Sequence, residues 1–218
     1  MSLYLENRQI STIWVIDDDP IARDSYGFTL EDMGLEARPV TDLQDETLAA
    51  LRQSVGSTGA VLCDYHLKKR DYSRHNGDYV VARCFENGIP GVLCTSIHGA
   101  PINRHDLRYI PGWLKTSPMN ETNLRGALEH CIEELTIGYR PSRRPWRTLV
   151  RVDNMDEERR GLTVVVPAWS TRTKIQLHFD DIPENIHELA EPDRRFHAHV
   201  NIGAEDSRDL YFCKWEPQ

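Results

Sequence analysis

Six polar side chains stand where apolar runs end. Asp17 and Asp18 follow Thr12-Ile13-Trp14-Val15-Ile16, and Asp64 closes the run from Ala60. Thr95 and Ser96 close the run from Gly91, and Lys115 lies within Gly112–Thr116. If those runs are parallel strands of one sheet, their carboxyl ends share an edge, which is where ligands bind in such sheets. That edge then collects three carboxylates, a hydroxyl pair and an ammonium. Crowded carboxylates repel and call for a hard cation with oxygen ligands, for which Mg²⁺ is the usual cellular choice. Mg²⁺ shares its shell with phosphate oxygens and neutralises the charge that develops in phosphoryl transfer. A carboxylate can itself attack phosphorus, and a hydroxyl and an ammonium can hold the remaining phosphoryl oxygens.

The surrounding pattern supplies the strands. Thr12–Ile16 is continuous and rich in β-branched residues, as fully buried parallel strands are. It is followed by a helix expected over Ile21–Met33, a strand Leu35–Val40, a helix Asp42–Ser54 capped by Asp42, the strand Ala60–Asp64 and a helix Gly77–Asn87 ended by Gly88. Then come strand Gly91–Ser96, a poorly patterned stretch His98–Arg108 where a fourth helix would fall, strand Gly112–Thr116 and a helix Pro118–Ile137 with Ser117 as N-cap. Leu124, Leu128, Cys131, Ile132 and Leu135 form an apolar stripe along that helix. This alternation predicts a doubly wound α/β domain, flavodoxin-like, with five parallel strands over residues 1–137.

In this order and on these strands, IDDDP, VLCDYHL, LCTS and GWLK resemble the receiver domain of two-component response regulators over about residues 10–137. The resemblance implies that Asp64 is the phosphorylated residue and that Mg²⁺ is required. Asp18 would bind the ion directly, Asp17 mostly through water, and the backbone carbonyl of His66 would be a further ligand. Thr95 would bond a phosphoryl oxygen and Lys115 would pair with the phosphate. The donor would be a sensor histidine kinase or a phosphotransfer protein. The only catalysis implied is self-phosphorylation and self-dephosphorylation, so no separate substrate is turned over. Three features depart from the family pattern. Thr116 replaces the usual proline after the lysine. Gly112 stands where an aromatic switch residue is usual. The stretch His66–Asn76 is long and carries Lys68, Lys69, Arg70 and Arg74, either as a solvated insertion or as an attractor for an anionic donor or an acidic partner.

Residues 138–147 hold two prolines, a glycine and four arginines and read as a linker; the arginines either solubilise it or bind acidic groups. Beyond it the strands Thr148–Val152, Leu162–Val166, Lys174–Phe179, Arg195–Ile202 and Leu210–Lys214, with a helix Glu184–Leu189 after the third, predict a small β-barrel, OB-like or SH3-like, over 148–218. Trp146, Trp169 and Trp215 could rim its core or stack bases. His197 and His199 share a strand face, half a metal site at most. Residues 148–218 carry 9 Lys/Arg and 14 Asp/Glu, a net of 9 − 14 = −5, against the positive grooves that nucleic acids select. A protein partner is therefore the expected target of this domain, with nucleic-acid binding the alternative. Hydrolysis of phosphate esters is the enzymatic alternative, weakened because His66 stands where related Mg²⁺-dependent phosphohydrolases carry a second aspartate.

The whole chain has 218 residues, 39% hydrophobic and 28% charged, which places it among globular proteins. Its net charge of −8 argues against general attraction to nucleic acid. No apolar run reaches the roughly 18 residues that span a bilayer, and the N-terminus lacks the basic and apolar regions of a signal peptide. A cytoplasmic location is the resulting expectation. The odd set Cys63, Cys84, Cys94, Cys131 and Cys213 has no CxxC spacing and predicts buried reduced thiols.

Overall fold

The structure is a computed structural model that describes residues 3–5, 8–67, 72–95, 102–114, 119–156, 158 and 160–218, with the side chains of 45–48 and 52 also left aside. Ser96, Lys68, Lys69, Arg70, Lys115, Thr116, Ser117 and Pro118 lie outside the described residues. By compactness the chain forms two units, one of residues 1–102 and 109–138, the other of 103–108 and 139–218. Residues 103–108 thus belong with the second unit although they fall within the expected span 1–137.

The first unit begins with a hairpin, β1 (Leu3–Leu5) and β2 (Arg8–Ile10), that the sequence reading did not anticipate. Next come β3 (Thr12–Ile16), α1 (Pro20–Asp32), β4 (Glu36–Val40), α2 (Asp45–Ser54), β5 (Gly59–Asp64), α3 (Gly77–Glu86) and β6 (Gly91–Cys94). The chain then contributes α4 (Arg104–Leu107) to the second unit and returns as β7 (Gly112–Leu114) and α5 (Glu121–Ile137). The parallel sheet runs in the order β4-β3-β5-β6-β7. Numbered among themselves these strands read 2-1-3-4-5, the flavodoxin-like order, with its switch point between β3 and β5.

Both faces of the inner sheet are covered, which is why β3, β5 and β6 are almost wholly apolar, whereas the edge strand β4 carries the exposed Glu36 and Arg38. One core packs Val61, Cys63 and Leu93 with Leu51, Val80, Val81 and Cys84 of α2 and α3. The other packs Ile13, Val15 and Leu62 with Leu30 of α1 and Leu124, Leu128 and Ile132 of α5. Leu3, Leu5 and Ile10 extend this second core, so the hairpin is held by burial rather than by its short ladder. Helix starts differ from expectation in two places. α5 begins after Asn120, whose side chain accepts the Asn123 N–H at 2.9 Å; the expected cap Ser117 lies outside the described residues. α2 begins after Gln44 without a side-chain cap, so Asp42 does not serve.

In the second unit β8 (Trp146–Asp156), β9 (Gly161–Val165), β10 (Ile175–His178), α6 (Glu184–His187), β11 (Arg195–Val200) and β12 (Phe212–Pro217) follow in turn. The five strands form one antiparallel sheet in the order β10-β9-β8-β11-β12. Val150, Val164, Leu177, Phe196, Val200 and Phe212 build its core. All five cysteines are buried and free.

Candidate acidic phosphoacceptor site

β3 ends in Asp17 and Asp18, and both are buried. A sharp turn follows because the Asp17 carboxylate accepts the Asp19 N–H at 2.7 Å. Asp19 then caps α1 through the Ile21 N–H at 2.9 Å, which explains the third acid of the run: it starts a helix and does not point to the cluster. Arg23, one turn into α1, donates to the backbone carbonyl of Asp17 and lies over the Tyr72 ring.

Asp64 ends β5, the neighbour of β3, with Cys63 opposite Ile16. Its carboxylate accepts the His66 N–H at 2.9 Å. The turn beyond is fixed from two sides: the Tyr65 N–H donates to the Cys94 carbonyl and the Gly77 N–H to the Tyr65 carbonyl, each at 2.9 Å. Gly77 has no room for a side chain, since a Cβ there would meet the Asp64 carbonyl oxygen at 1.9 Å. Thr95, directly after β6, is buried, and its N–H donates to the Leu114 carbonyl at 3.1 Å. That bond ties the end of β6 to the last described residue before Lys115, whose own position lies outside the described residues.

Electrostatics make this edge uncomfortable without a cation. Burial, then the charges of Asp64, Asp18 and Asp19, push the Asp17 carboxyl up to about 6 against the pull of the Asp19 N–H. Burial also raises Asp64, tempered by the N–H groups of His66 and Tyr65, with Asp18 adding to the rise. The Tyr26 phenol is raised by burial and by Cys94, Asp17 and Asp64, which puts it beside the cluster. The sequence reading missed Tyr26; its place one helical turn beyond Arg23 was the available signal. Among the described residues no three His, Cys, Asp or Glu side chains are already gathered as a metal site. The donors nonetheless fit Mg²⁺, which keeps several waters and uses one or two carboxylates. Asp17, Asp18 and Asp64 would hold it.

The raised carboxyl fixes a pH dependence for metal-free protein. Folded Asp17 takes up its proton near pH 6 and the unfolded chain near 3.8. The folded state therefore binds more protons between those values, and stability rises as pH falls through that window. In EDTA, the denaturant midpoint should be higher at pH 5.5 than at pH 7.5, and saturating Mg²⁺ should shrink the difference. Equal midpoints in EDTA would show that Asp17 is not strained by its neighbours.

The other sequence candidates resolve as follows. The described part of the insertion is anchored: Tyr72 donates to the Val40 carbonyl at 2.6 Å, and its own carbonyl accepts the Leu43 N–H at 3.0 Å. Its basic tip lies outside the described residues. A Cβ on Gly112 would meet the Ala127 carbonyl at 2.7 Å, so the close approach of α5 excludes an aromatic there. Trp113 and Tyr109 pack instead on the α2–α3 core. His197 and His199 are half-exposed on β11, opposite Glu216 and Cys213, with a register shift between them. Trp169 and Trp215 pack on the core of the second unit, and Trp146 is exposed under Arg144. Arg143 is spent on the carbonyls of Leu107 and Arg108.

With that geometry in place, the fold and site define a flavodoxin-like domain with an acidic cluster at its carboxyl edge. The solved structures to which the chain is similar are response-regulator receiver domains, covering about 57–60% of it. One is the signal receiver domain of a modulated diguanylate cyclase from Desulfovibrio desulfuricans, 18% identical, with a TM-score of 0.48, covering 60% of this chain and 99% of that one. Another is a response regulator receiver domain protein from Clostridium thermocellum, 20% identical, with a TM-score of 0.45, covering 57% of this chain and 96% of that one. A third is a response regulator from Burkholderia pseudomallei carrying a phosphorylated aspartic acid, a calcium ion and citrate, 17% identical, with a TM-score of 0.45, covering 57% of this chain and 70% of that one. No family model and no curated protein matches the chain. Among the described residues no helix is long and apolar enough to cross a membrane.

Proposed function

We propose that this chain is a response regulator of a two-component phosphorelay, phosphorylated on Asp64 with Mg²⁺ and signalling through its second unit to a protein partner. The observation that carries the reading is the meeting of the buried Asp17 and Asp18 after β3 with the half-buried Asp64 at the end of the adjacent β5, at the switch point of a 2-1-3-4-5 sheet. Bound there, Mg²⁺ would neutralise the carboxylates and the incoming phosphoryl oxygens. Asp64 is the nucleophile, its carboxylate oriented by the hydrogen bond from the His66 N–H. Thr95 offers a hydroxyl directly after the neighbouring strand, and Lys115, which follows β7 in sequence, would supply an ammonium. The donor is a sensor histidine kinase or a phosphotransfer protein, and no further substrate is turned over.

The strand order of the second unit supports a partly open five-stranded barrel of OB type, because its first strand pairs with both the second and the fourth. Its acidity favours a protein over a nucleic acid as target. Incubation with acetyl phosphate and Mg²⁺ should add one phosphoryl group by intact mass, labile to hydroxylamine and absent in EDTA. A chain that gains no such group from acetyl phosphate or from a phosphorylated histidine protein would end the reading.

A further inference from the structure

Residues 103–108 are held at every turn by the second unit. Asn103 caps α4, its side chain accepting the His105 N–H at 2.8 Å. The Arg104 N–H donates to Asp181 at 2.8 Å. The Arg104 guanidinium donates to the carbonyls of Ser207 at 2.9 Å, Leu210 at 2.6 Å and Gln176 at 3.3 Å. At the other end Arg143 donates to the carbonyls of Leu107 at 3.1 Å and Arg108 at 3.0 Å, and Arg108 donates to the Tyr139 hydroxyl at 2.7 Å. Tyr211, fully buried, fixes Arg143 by donating to its carbonyl. Burial lowers the Arg104 guanidinium, and the nearby carboxylates Asp181, Asp209 and Asp206 oppose that.

The flanks of this segment belong to the first unit. Ile102 and Tyr109 pack on its α2–α3 core, and Ile110 is buried in it. Beyond Ile110 only Pro111 precedes β7, whose Leu114 carbonyl holds the N–H of Thr95. A rigidly held segment is therefore joined by a short, packed connection to the strand that fixes the threonine of the acidic edge.

We infer that residues 103–108 are a tether, with Arg104 as its anchor, through which the second unit and the acidic site bias each other. The inference deepens the proposed function by naming how that site is regulated, and it rests on Asp64 being the phosphoacceptor. Coupling of this kind is reciprocal: if occupancy of the site shifts β7 and the anchor, then loosening the anchor alters the affinity of the site by the same factor. Arg104 is a positioning residue and touches no phosphoryl group.

The test uses the full chain and the equilibrium affinity for beryllofluoride with Mg²⁺, a stable mimic of the phosphorylated aspartate. Arg104→Ala should shift that affinity by about threefold or more, and Arg104→Lys, which keeps the charge but loses the fork, should shift it in the same direction. In the unmutated chain, amide exchange over 174–181 and 207–211 should change when beryllofluoride binds. This arm decides even if Arg104→Ala fails to fold. Normal binding with a smaller affinity shift and unchanged exchange overturns the tether alone. Absence of binding to the unmutated chain overturns the Asp64 reading, and the tether with it.

Discussion

Asp64→Asn should reduce phosphoryl uptake from any donor to background while the protein stays folded and becomes somewhat more stable. An amide of the same shape keeps an oxygen for the His66 N–H but cannot form the acyl phosphate. It also removes one of the charges that raise Asp17, so a repulsion borne by the folded state alone disappears. Intact mass and a denaturation curve on the same preparation check both halves. Uptake persisting in Asp64→Asn at the unmutated rate would move the phosphoacceptor elsewhere. Loss of uptake together with loss of folding would leave the acid strain unsupported.

Gly77→Ala should damage both stability and chemistry. Its Cβ would stand 1.9 Å from the Asp64 carbonyl oxygen and 3.0 Å from Cys63 Sγ, so either α3 or the end of β5 must move. Overpacking of this kind costs about 3 kcal/mol. A displacement of about 1 Å at a reacting group can slow its chemistry about a hundredfold. The denaturant midpoint and the initial rate of uptake from acetyl phosphate measure the two effects. Gly126→Ala is the control: it lies inside α5 with nothing within 4 Å of its Cβ, and it should stabilise by about 0.5–1 kcal/mol. A Gly77→Ala protein as stable and as fast as the unmutated chain would show that the Asp64 turn has slack.

The first unit could be read from sequence because its inner strands β3, β5 and β6 are buried on both faces and each gives way to a polar residue. Thr12–Ile16 and Gly59–Asp64 announce themselves by continuous apolar character, and Asp17, Asp18 and Asp64 by interrupting it. The hairpin Leu3–Leu5 and Arg8–Ile10 escaped because three-residue strands give no period to detect; the alternation of Leu3 and Leu5 was the whole signal. α4 looked weak for a different reason. Its four residues do not present an apolar stripe to the sheet; Arg104 and Arg108 answer to carbonyls and a hydroxyl far along the chain. No local pattern encodes a contact with Leu210 or Tyr139. Gly112 likewise took its meaning only from a neighbour brought in by the fold, the Ala127 carbonyl, whereas Asp19, which caps α1 two residues on, could have been read locally. In the second unit the five strands and the short helix fell where alternation put them, with ends shifted by a few residues.

The ownership of residues 103–108 has a consequence for modularity. Proteins built of two parts are commonly recombined by cutting once in the connector, here near Gly138. A single cut would leave the second part without the guanidinium that its Ser207 and Leu210 carbonyls accept and without the N–H that its Asp181 accepts. It would leave the first part displaying an orphaned arginine and the otherwise buried Leu107. Exchange of either half, by evolution or in a chimera, must therefore carry an edit in the β6–β7 connection as well, so the two halves are inherited as a matched pair.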